Sequence, residues 1–374
     1  MTDRVRAIGL RLAVLAASLL LGLALVELGL RLLAPIPHSM EVEYIRDGHI
    51  GFRLLPNRTY QIPSGGTSSV NNLGYRGNRN ISYRKPDGVF RIVALGGSST
   101  FSYNTDDGRI WTTLLEERLR SDFGTRIEVV NAAVPGYNVF DSKIHYLYRV
   151  RDMQPDAVLV YHTWNDMKRF RGMEAGSAYR KGVPRRRALI SFIKRFELAW
   201  RLRNFYETHY KPRWRETVYS ESLDAPVQEI SPGGRAHSWE RQNYRDMANL
   251  LTTDGVLPVF ISQGGLLAEE NLKQPEIRAV VHAEMQGLNF LQILQQWQAV
   301  REITRSVAEQ YDVPFIDGYS AVPHTLEMFS DHVHLTPQGN AVLADAVYRD
   351  LVADPRFVER VSASTERDSA ASGL

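Results

Sequence analysis

The sequence of 374 residues contains no cysteine. This absence excludes disulfide bonds, cysteine-based zinc sites and thiol nucleophiles together. It leaves the cellular compartment open, because a protein without cysteine is compatible with both a reducing and an oxidising environment. The chain also has no internal repeat, no GxGxxG motif, no Walker loop and no HExxH motif. A chemical function must therefore be built from other residues, and no cofactor is expected.

Charge of one sign is not in large excess either. The formal net charge of +3 is too small to indicate nucleic acid binding, and we expect no nucleic-acid partner. Apolar residues make up 44% of the chain and charged residues 23%, which is typical of a globular protein with a packed core.

The longest uncharged run lies at the N-terminus. It reads "LAVLAASLLLGLALV", from Leu12 to Val26, and the apolar character continues to Leu33 with Glu27 and Arg31 as interruptions. A helix from residue 12 to residue 33 is long enough to cross the roughly 30 Å hydrocarbon core of a membrane. Glu27 and Arg31 are spaced i, i+4, so they can pair on one helix face. We therefore predict that residues 1–34 form a membrane anchor that contacts inner-membrane lipid.

The orientation of this anchor follows from its flanking charges. Arg4, Arg6 and Arg11 precede the apolar run, which favours a cytoplasmic N-terminus. The rest of the chain is then expected outside the cytoplasm, on the periplasmic or cell-surface side. One alternative is a cleaved signal peptide, although no clear small-x-small site directly follows the run. The other is a buried helix of a soluble protein.

Residues 35–88 are predicted to be a linker followed by an extended, hairpin-like lead-in, because glycine and asparagine punctuate short runs from Met40 to Tyr83. Beyond them, strand-like apolar runs alternate with amphipathic stretches. The strand-like runs are Val89–Leu95, Ile127–Val130, Ala157–Tyr161, Val256–Ser262 and "VPFIDGY". The amphipathic stretches are Trp111–Ser121, Ser142–Arg151, Trp239–Leu251 and Phe290–Gln310. This alternation predicts an α/β domain over residues 89–360, with a central parallel sheet and helices on both faces.

Two segments do not follow this alternation. A basic insert occupies about 168–238 and contains "RALISFIKRFELAWRLRNFY", with apolar residues at helical spacing. This helix could pack on the domain, contact an anionic membrane surface, or meet an acidic substrate. The second segment, residues 361–374, is polar and rich in small residues, and we expect a disordered tail.

Ser98 directly follows the first strand-like run of the domain. A serine at such a place lies near the amides that begin a helix, and those amides can stabilise an oxyanion. The hydroxyl needs a neighbouring base before it becomes a nucleophile. Taken alone, Gly96-Gly97-Ser98-Ser99-Thr100 is more typical of a turn that caps a helix.

Gly136 and Asn165 follow the next two strand-like runs. The side-chain amide of Asn165 is a good oxyanion donor, and a glycine at position 136 lets its N–H approach a ligand closely. Each residue also fits an ordinary turn. Because ligands bind at the carboxyl ends of parallel strands, the coincidence of Ser98, Gly136 and Asn165 at such ends favours a shared site.

The stretch "DHVHLTPQGN" near the C-terminus holds an acid and two histidines. Asp331 and His334 are spaced i, i+3, so on a helical turn Asp331 can reach the ring of His334 and fix its tautomer. His332 would then point elsewhere. The alternatives are a metal site, with Asp317 or His324 beside the two histidines, and a polar surface loop. The pairing of Asp331 with His334 is preferred, and no metal is predicted.

With these residues the chain resembles the SGNH (GDSL-like) hydrolase superfamily. Its four sequence blocks are matched in order by "GGSST", "NAAVPGYN", "TWND" and "DHVHLTPQGN", from about Val89 to Leu351. The lead-in "NNLGYRGNRN" resembles that of membrane-anchored bacterial members. Gly97 stands where the usual Gly-Asp-Ser motif has an aspartate, and Thr100 distinguishes the segment from the α/β-hydrolase elbow. The basic insert is outside the common pattern.

The resemblance implies a three-layer α/β/α, flavodoxin-like fold. It implies that Ser98 is the nucleophile, His334 its base and Asp331 the orienting partner of the base. It also implies an oxyanion hole formed by the N–H groups of Ser98 and Gly136 and the side chain of Asn165.

The expected activity is that of a serine esterase, which removes acyl groups, above all O-acetyl, from an envelope carbohydrate or a related ester through an acyl-enzyme. Two alternatives stay open. One is an O-acyltransferase with the same triad and a sugar hydroxyl as acceptor. The other is a catalytically idle polysaccharide-assembly protein that keeps the fold. The anchor and the basic insert suit a substrate at the membrane surface in each case, and protein partners are unknown.

Overall fold

The computed structural model divides the chain into two compact units. One comprises Met1–His38 and Lys181–Glu221, and the other Ser39–Arg180 and Ser222–Leu374. The structure describes residues 2–33, 42–62, 65–124, 126–167, 196–199, 201–202, 205, 237–282 and 290–372. Apart from a few positions, the predicted basic insert at about 168–238 therefore lies outside the described residues.

The N-terminal segment is a helix, α1 (Thr2–Leu33). Its portion Arg6–Leu33 spans 28 residues with a mean hydropathy of 2.3, and none of these residues is buried. It is therefore long and apolar enough to cross a membrane. A signal sequence would share these features. Arg31 Nε lies 2.7 Å from Glu27 Oε1, as the i, i+4 spacing predicts. The same Glu27 carboxylate accepts the N–H groups of Glu197 and Leu198 at 3.0 and 3.1 Å, so its charge is compensated within this unit.

The second unit holds all the described strands. In chain order they are β1 (Tyr44–Asp47), β2 (Gly51–Leu54), β3 (Arg58–Gln61), β4 (Thr67–Val70), β5 (Phe90–Gly96), β6 (Ile127–Asn131), β7 (Ala157–His162), β8 (Leu257–Ser262) and β9 (Phe315–Ile316). The described helices that follow α1 are α2 (Ser98–Phe101), α3 (Trp111–Phe123), α4 (Val139–His145), α5 (Ser238–Thr253), α6 (Pro275–His282), α7 (Phe290–Gln310), α8 (Gly318–Ala321), α9 (Pro337–Ala353) and α10 (Pro355–Ser372). Each predicted strand is present. The helix predicted over 142–151 instead ends at His145 and continues as a π turn, Tyr146–Val150.

The central sheet has five strands in the order β6-β5-β7-β8-β9, and all neighbouring pairs are parallel. Numbered from the first strand of the sheet, this is the 2-1-3-4-5 order of flavodoxin-like folds. The strand order reverses between β5 and β7, and in such sheets ligands bind outside the carboxyl ends of the strands at this point. The topology therefore places a site beyond the ends of β5, β6 and β7.

Helices cover both faces of the sheet because successive side chains of a strand point to opposite faces. On one face, Ile92 and Leu159 are buried in a cluster with residues of α3 and α9. On the other face, Val93 and Val160 are buried with residues of α4 and α5. Every residue of β5 and β7 is buried, as expected for parallel strands covered on both sides. The domain is a three-layer α/β/α fold, as predicted.

The lead-in forms two antiparallel hairpins, β1–β2 and β3–β4. Phe52 and Val70 of these hairpins are buried in one cluster with Phe101 and Tyr137, which follow β5 and β6. The lead-in thus belongs to the same compact unit as the sheet, which begins at Ser39. The predicted division at residue 88 is not a boundary of this unit, because the hairpins share its apolar core.

The C-terminal segment also differs from its prediction. Helix α10 reaches Ser372, where a disordered tail was expected from residue 361. Phe357 and Val361 are spaced i, i+4 and are buried, so they give the start of this helix an apolar face. The alanine, glutamate and arginine residues that follow favour continuation of the helix.

Candidate active site

Three turns meet beyond the carboxyl ends of β5, β6 and β7. Ser98 follows β5 and is the first residue of α2, where it is half-buried. Gly136 lies in the turn after β6 and is exposed, and Asn165 follows β7 and is buried. The structure therefore brings the three predicted turns to one edge of neighbouring strands.

The backbone at Gly97 is in close contact with the other two turns. A Cβ atom at Gly97 would lie 2.5 Å from Nδ2 of Asn165 and 2.9 Å from the carbonyl oxygen of Tyr137. Asn165 Nδ2 donates to that same carbonyl oxygen at 2.7 Å. A side-chain amide has two N–H groups, so this bond fixes Asn165 and leaves a second donor beside the residue that precedes Ser98.

Gly136 has φ +97°, in the region that favours glycine. Its N–H makes no hydrogen bond within the described residues. The next residue, Tyr137, donates its own N–H to Val134 at 3.0 Å and closes the turn. The exposed glycine therefore presents its backbone N–H on a turn that is closed by the hydrogen bond from Tyr137 to Val134.

The Ser98 hydroxyl contacts a histidine from the far end of the chain. His334 Nε2 lies 2.8 Å from Ser98 Oγ, and His334 Nδ1 lies 2.6 Å from Asp331 Oδ2. The three side chains form a continuous hydrogen-bonded series. A histidine held in this way by a carboxylate at Nδ1 presents Nε2 as an acceptor for the serine proton.

Asp331 is held by the backbone as well as by His334. Its Oδ1 accepts the N–H groups of Val333 and His334, both at 2.9 Å. Burial opposes the charge of Asp331, but the hydrogen bond from His334 and the nearby histidines hold the pKa of its carboxyl well below its ordinary value. The segment is a bend and not the helical turn assumed from the i, i+3 spacing. The carboxylate reaches His334 because it caps the backbone of this bend.

The two histidines have different surroundings. His332 is buried, and its ring packs on Trp164 with 4.1 Å between ring centroids. His334 is half-buried and lies beside Tyr103, with 6.1 Å between centroids. His332 therefore packs in the interior, while His334 faces the Ser98 hydroxyl.

The residues of the alternative metal site do not come together. His324 Nδ1 lies 2.7 Å from the carbonyl oxygen of Gly265, and Asp317 accepts from Ser262 at 2.8 Å and pairs with Arg305 at 3.0 Å. In the part of the chain that the structure describes, no group of three or more histidine, aspartate or glutamate side chains could hold a metal ion. The metal interpretation of "DHVH" therefore lacks a ligand set among these residues.

Several supporting residues were not identified from the sequence. Ser99 Oγ donates to the carbonyl of Val333 at 3.1 Å and receives a hydrogen bond from Gln263 Nε2 at 2.6 Å. Ser102 Oγ donates to Asn340 Oδ1 at 2.7 Å. These contacts join the segment of Ser98 to the loop of His334. Asn340 ends the quoted "DHVHLTPQGN" stretch and could have drawn attention, whereas nothing in the sequence around Gln263 marks it.

The family of the chain follows from its sequence together with this fold. The model of the GDSL-like Lipase/Acylhydrolase family matches residues 94–342, which include Ser98, Gly136, Asn165 and the pair Asp331 and His334. The chain belongs to this family. Membership of this family supports a hydrolase activity on ester substrates.

Similar solved structures include a lipase/acylhydrolase and an acetyl xylan esterase. One is a lipase/acylhydrolase from Enterococcus faecalis, with 16% identity and a TM-score of 0.42 over 70% of this chain and 95% of that chain. Another is a variant of an acetyl xylan esterase from Geobacillus stearothermophilus, with 14% identity and a TM-score of 0.40 over 70% of this chain and 96% of that chain. No curated protein matches the sequence of this chain.

Proposed function

We propose that this GDSL-like protein is a serine esterase in which Ser98 is the nucleophile, His334 the general base and Asp331 its orienting partner. The observation that carries the proposal is the 2.8 Å contact between Ser98 Oγ and His334 Nε2, with Asp331 at 2.6 Å on the opposite ring nitrogen. This arrangement meets the geometric requirement for activating a serine hydroxyl.

The reaction proceeds in two halves. Ser98 Oγ attacks the ester carbonyl carbon while its proton passes to His334 Nε2, and the carbonyl oxygen becomes an oxyanion. The tetrahedral intermediate collapses, and His334 returns the proton to the leaving alkoxide, which departs as an alcohol. A water molecule then attacks the acyl-enzyme with His334 again as base, which releases the acid and restores Ser98.

The oxyanion would be stabilised by the N–H groups of Ser98 and Gly136 and by Nδ2 of Asn165. The close approach of Gly97 to Asn165 supports this assignment. So does Gly136, an exposed residue whose N–H makes no hydrogen bond within the described part of the chain. Such donors are effective because they are fixed before charge develops on the substrate oxygen.

The proposed substrate is an O-acyl group, above all O-acetyl, on a carbohydrate outside the cytoplasm. Among the described residues Gly136 is exposed and Ser98 is half-buried, which supports an ester carried on a large molecule as the substrate. The apolar helix Arg6–Leu33 and the basic residues at its start favour a membrane anchor with the catalytic unit outside the cytoplasm. Alkaline phosphatase fused after Leu374 should be active, and a silent fusion would reverse this topology.

The test of the triad is hydrolysis of p-nitrophenyl acetate by the Ser98→Ala variant. We expect kcat to fall on the order of 10³-fold or more, with the circular dichroism spectrum unchanged. Ser320→Ala, at an exposed serine that bonds Asp317, is the matched control and should keep wild-type activity. Near-wild-type kcat in Ser98→Ala would refute the assignment.

The same assay with an added carbohydrate acceptor separates hydrolysis from transfer. An esterase releases acetate at the same rate with and without the acceptor. Formation of an acylated sugar faster than release of acetate would make the protein an acyltransferase. No turnover of any acyl donor by the wild-type protein would contradict both enzymatic readings.

A further inference from the structure

Asp166 follows Asn165 directly and is fully buried. Its Oδ1 accepts the backbone N–H of Val139 at 2.8 Å, and its Oδ2 accepts the hydroxyl proton of Tyr244 at 3.0 Å. The mechanism proposed above makes no use of this carboxylate. Burying a carboxyl group is unfavourable unless its oxygens are hydrogen-bonded, so both of these contacts offset the cost of burying Asp166.

The two partners of Asp166 belong to different elements. Val139 is the first residue of α4 and comes two positions after Tyr137, whose carbonyl oxygen receives the Asn165 amide. Tyr244 lies in α5, in the helical layer on the same face of the sheet. Asn165 therefore holds the turn of Gly136 at the Tyr137 carbonyl, and Asp166 holds it at the Val139 N–H. Tyr244 of α5 in turn donates to Asp166.

We propose that Asp166 is a positioning residue that holds the Gly136 turn at a fixed distance from Asn165, so that the oxyanion donors keep their spacing. This inference rests on the proposed function. It assigns to Asp166 an effect on the transition state without contact with the substrate.

The effect on catalysis follows from the geometry of the turn. Gly136 has no hydrogen bond of its own among the described residues, so its placement depends on the neighbouring ties. Removing one oxyanion donor outright typically lowers kcat by about 10²- to 10³-fold. Loss of the Asp166 contact should displace the Gly136 donor without removing it, so a smaller loss is expected.

Other contacts hold α4 itself and limit the damage. Asn138 and Asp141 form a capping box at the start of α4, and Ser142 Oγ lies 2.8 Å from His162 Nε2 of β7. These ties keep the helix in place when the Asp166 contact is cut. They therefore allow the position of the turn to be tested in a folded protein.

The sharpest test removes the backbone donor at Val139. Val139→Pro replaces the N–H that Asp166 accepts with the Cδ of the proline ring, and proline is tolerated at the first position of a helix. The preceding residue, Asn138, has extended backbone angles of −108° and −176°, which are compatible with a following proline. Val139→Ala is the matched control, because it keeps the N–H and loses only side-chain packing.

We expect kcat for p-nitrophenyl acetate, measured per titrated active site, to be about 5- to 50-fold lower in Val139→Pro than in Val139→Ala, with KM within about 3-fold. A role in stability alone would lower the melting temperature and leave kcat per active site equal in the two variants. That equality would overturn the inference.

Asp166→Asn provides a second measurement if the proline variant fails to fold. Its amide oxygen can accept the Val139 N–H while its NH2 group donates to the Tyr244 oxygen, so most of kcat should be retained. Asp166→Ala should lose about 10-fold or more relative to Asp166→Asn, at similar KM. Equal kcat in these two variants, with an active wild type, would reject the role of Asp166 alone. An inactive wild type would instead reject the proposed function.

Discussion

Gly97 is the residue at which this chain departs from the Gly-Asp-Ser motif of its family. Its backbone angles, φ −95° and ψ −150°, are open to any residue, so conformation does not require glycine there. Space does, because Asn165 Nδ2 and the Tyr137 carbonyl oxygen approach the place that a Cβ would occupy. In this protein the missing side chain lets the Asn165 amide lie against the segment of Ser98.

Restoring a side chain at this position should therefore impair the enzyme. We expect Gly97→Ala to lower kcat for p-nitrophenyl acetate by about 10-fold or more, since the Asn165 donor must move. Gly97→Asp should be at least as damaging, although it recreates the family motif. Gly48→Ala is the control, because nothing lies within 4 Å of its Cβ. A Gly97→Asp variant as active as the wild type would show that Asn165 tolerates displacement.

Substitution of the two histidines of "DHVH" should affect kcat to very different extents. His334→Ala should lower kcat nearly as much as Ser98→Ala, on the order of 10³-fold, because the two residues act as one unit. Asp331→Asn should be less damaging than His334→Ala, since the base remains and only its orientation is lost. His332→Ala should lower thermal stability and largely spare kcat, because its ring packs on Trp164.

The metal alternative predicts another order for the same variants. Under it, both histidines are essential, and a chelator abolishes activity that added metal restores. The four variants assayed with and without chelator therefore decide between a base and a ligand at position 334. Equal loss in His332→Ala and His334→Ala, together with inhibition by the chelator, would overturn the triad.

Among the elements, the lead-in hairpins depend on one buried ion pair. The guanidinium of Arg76 pairs with Asp107 and donates to the carbonyl oxygens of Thr105 and Phe101 at 2.6 and 3.2 Å. Asp107 also accepts the N–H of Ser69 from β4 at 2.8 Å. These bonds fasten the lead-in to the segment that follows the nucleophile helix α2.

Removing one partner leaves the other charge buried and unpaired. We expect Arg76→Ala to lower the free energy of unfolding by about 3–5 kcal/mol in urea titrations. The double variant Arg76→Met/Asp107→Leu should lose less than the sum of the single changes, because no charge is left unpaired. Arg79→Ala removes an exposed ion pair with Glu116 and should cost no more than about 1 kcal/mol. Equal losses in Arg76→Ala and Arg79→Ala would contradict this account.

The sheet and its helices were predictable because burial on both faces gives parallel strands continuous apolar runs, and each run ends in a small-residue turn. The contact between Asp331 and His334 was predicted on the assumption of a helical turn, in which residues i and i+3 share a face. The contact is present, but the segment is a bend. The lead-in was not recognised as part of the core. Its strands are only four residues long, and their apolar residues pack against Phe101 and Tyr137, far away in the sequence.

Asp166 escaped sequence analysis for a related reason. In "TWND" it is one polar residue of a turn. The positioning role proposed for it depends on contacts with Val139 and Tyr244, which belong to two other elements. Motifs mark residues that act on a ligand directly. Residues that hold such motifs together become visible only when the elements are packed.

At the scale of the whole molecule, Asp166 and Asp331 make stability depend on pH in opposite directions, because their pKa values are shifted in opposite directions. Burial raises the pKa of Asp166 from its ordinary value of 3.8 to about 7, and the nearby Glu240 and Asp141 act in the same direction, whereas the hydrogen bonds from Val139 and Tyr244 oppose the shift. Between these pH values the folded protein keeps a proton that the unfolded chain has released. The contribution of Asp166 to stability therefore falls as pH rises through this window.

Asp331 acts in the other direction. Its lowered pKa gives stability that is present above the ordinary pKa of an aspartate and is lost as the pH falls further. The two effects occur in different pH ranges, because Asp331 titrates in acid and Asp166 titrates up to about pH 7. One substitution can therefore separate them.

We expect Asp166→Asn to gain stability relative to the wild type as the pH rises from about 4 to 7, and to show a constant difference above that range. The gain should be a few kcal/mol at most, since one pKa unit corresponds to about 1.4 kcal/mol. Urea unfolding at several pH values measures it. Asp87→Asn, at an exposed position, is the control for the removal of a surface carboxyl group. A curve for Asp166→Asn that runs parallel to that of the wild type would contradict the raised pKa.

Ser98 and His334 are separated by 236 positions along the chain. The ribosome makes the serine 236 residues before the histidine, so under the proposed mechanism the growing chain carries its hydroxyl group through all of that synthesis with no partner to accept the proton. The nascent protein is therefore unable to attack an ester. Activity begins only when the segment around His334 has been made and has folded onto Ser98.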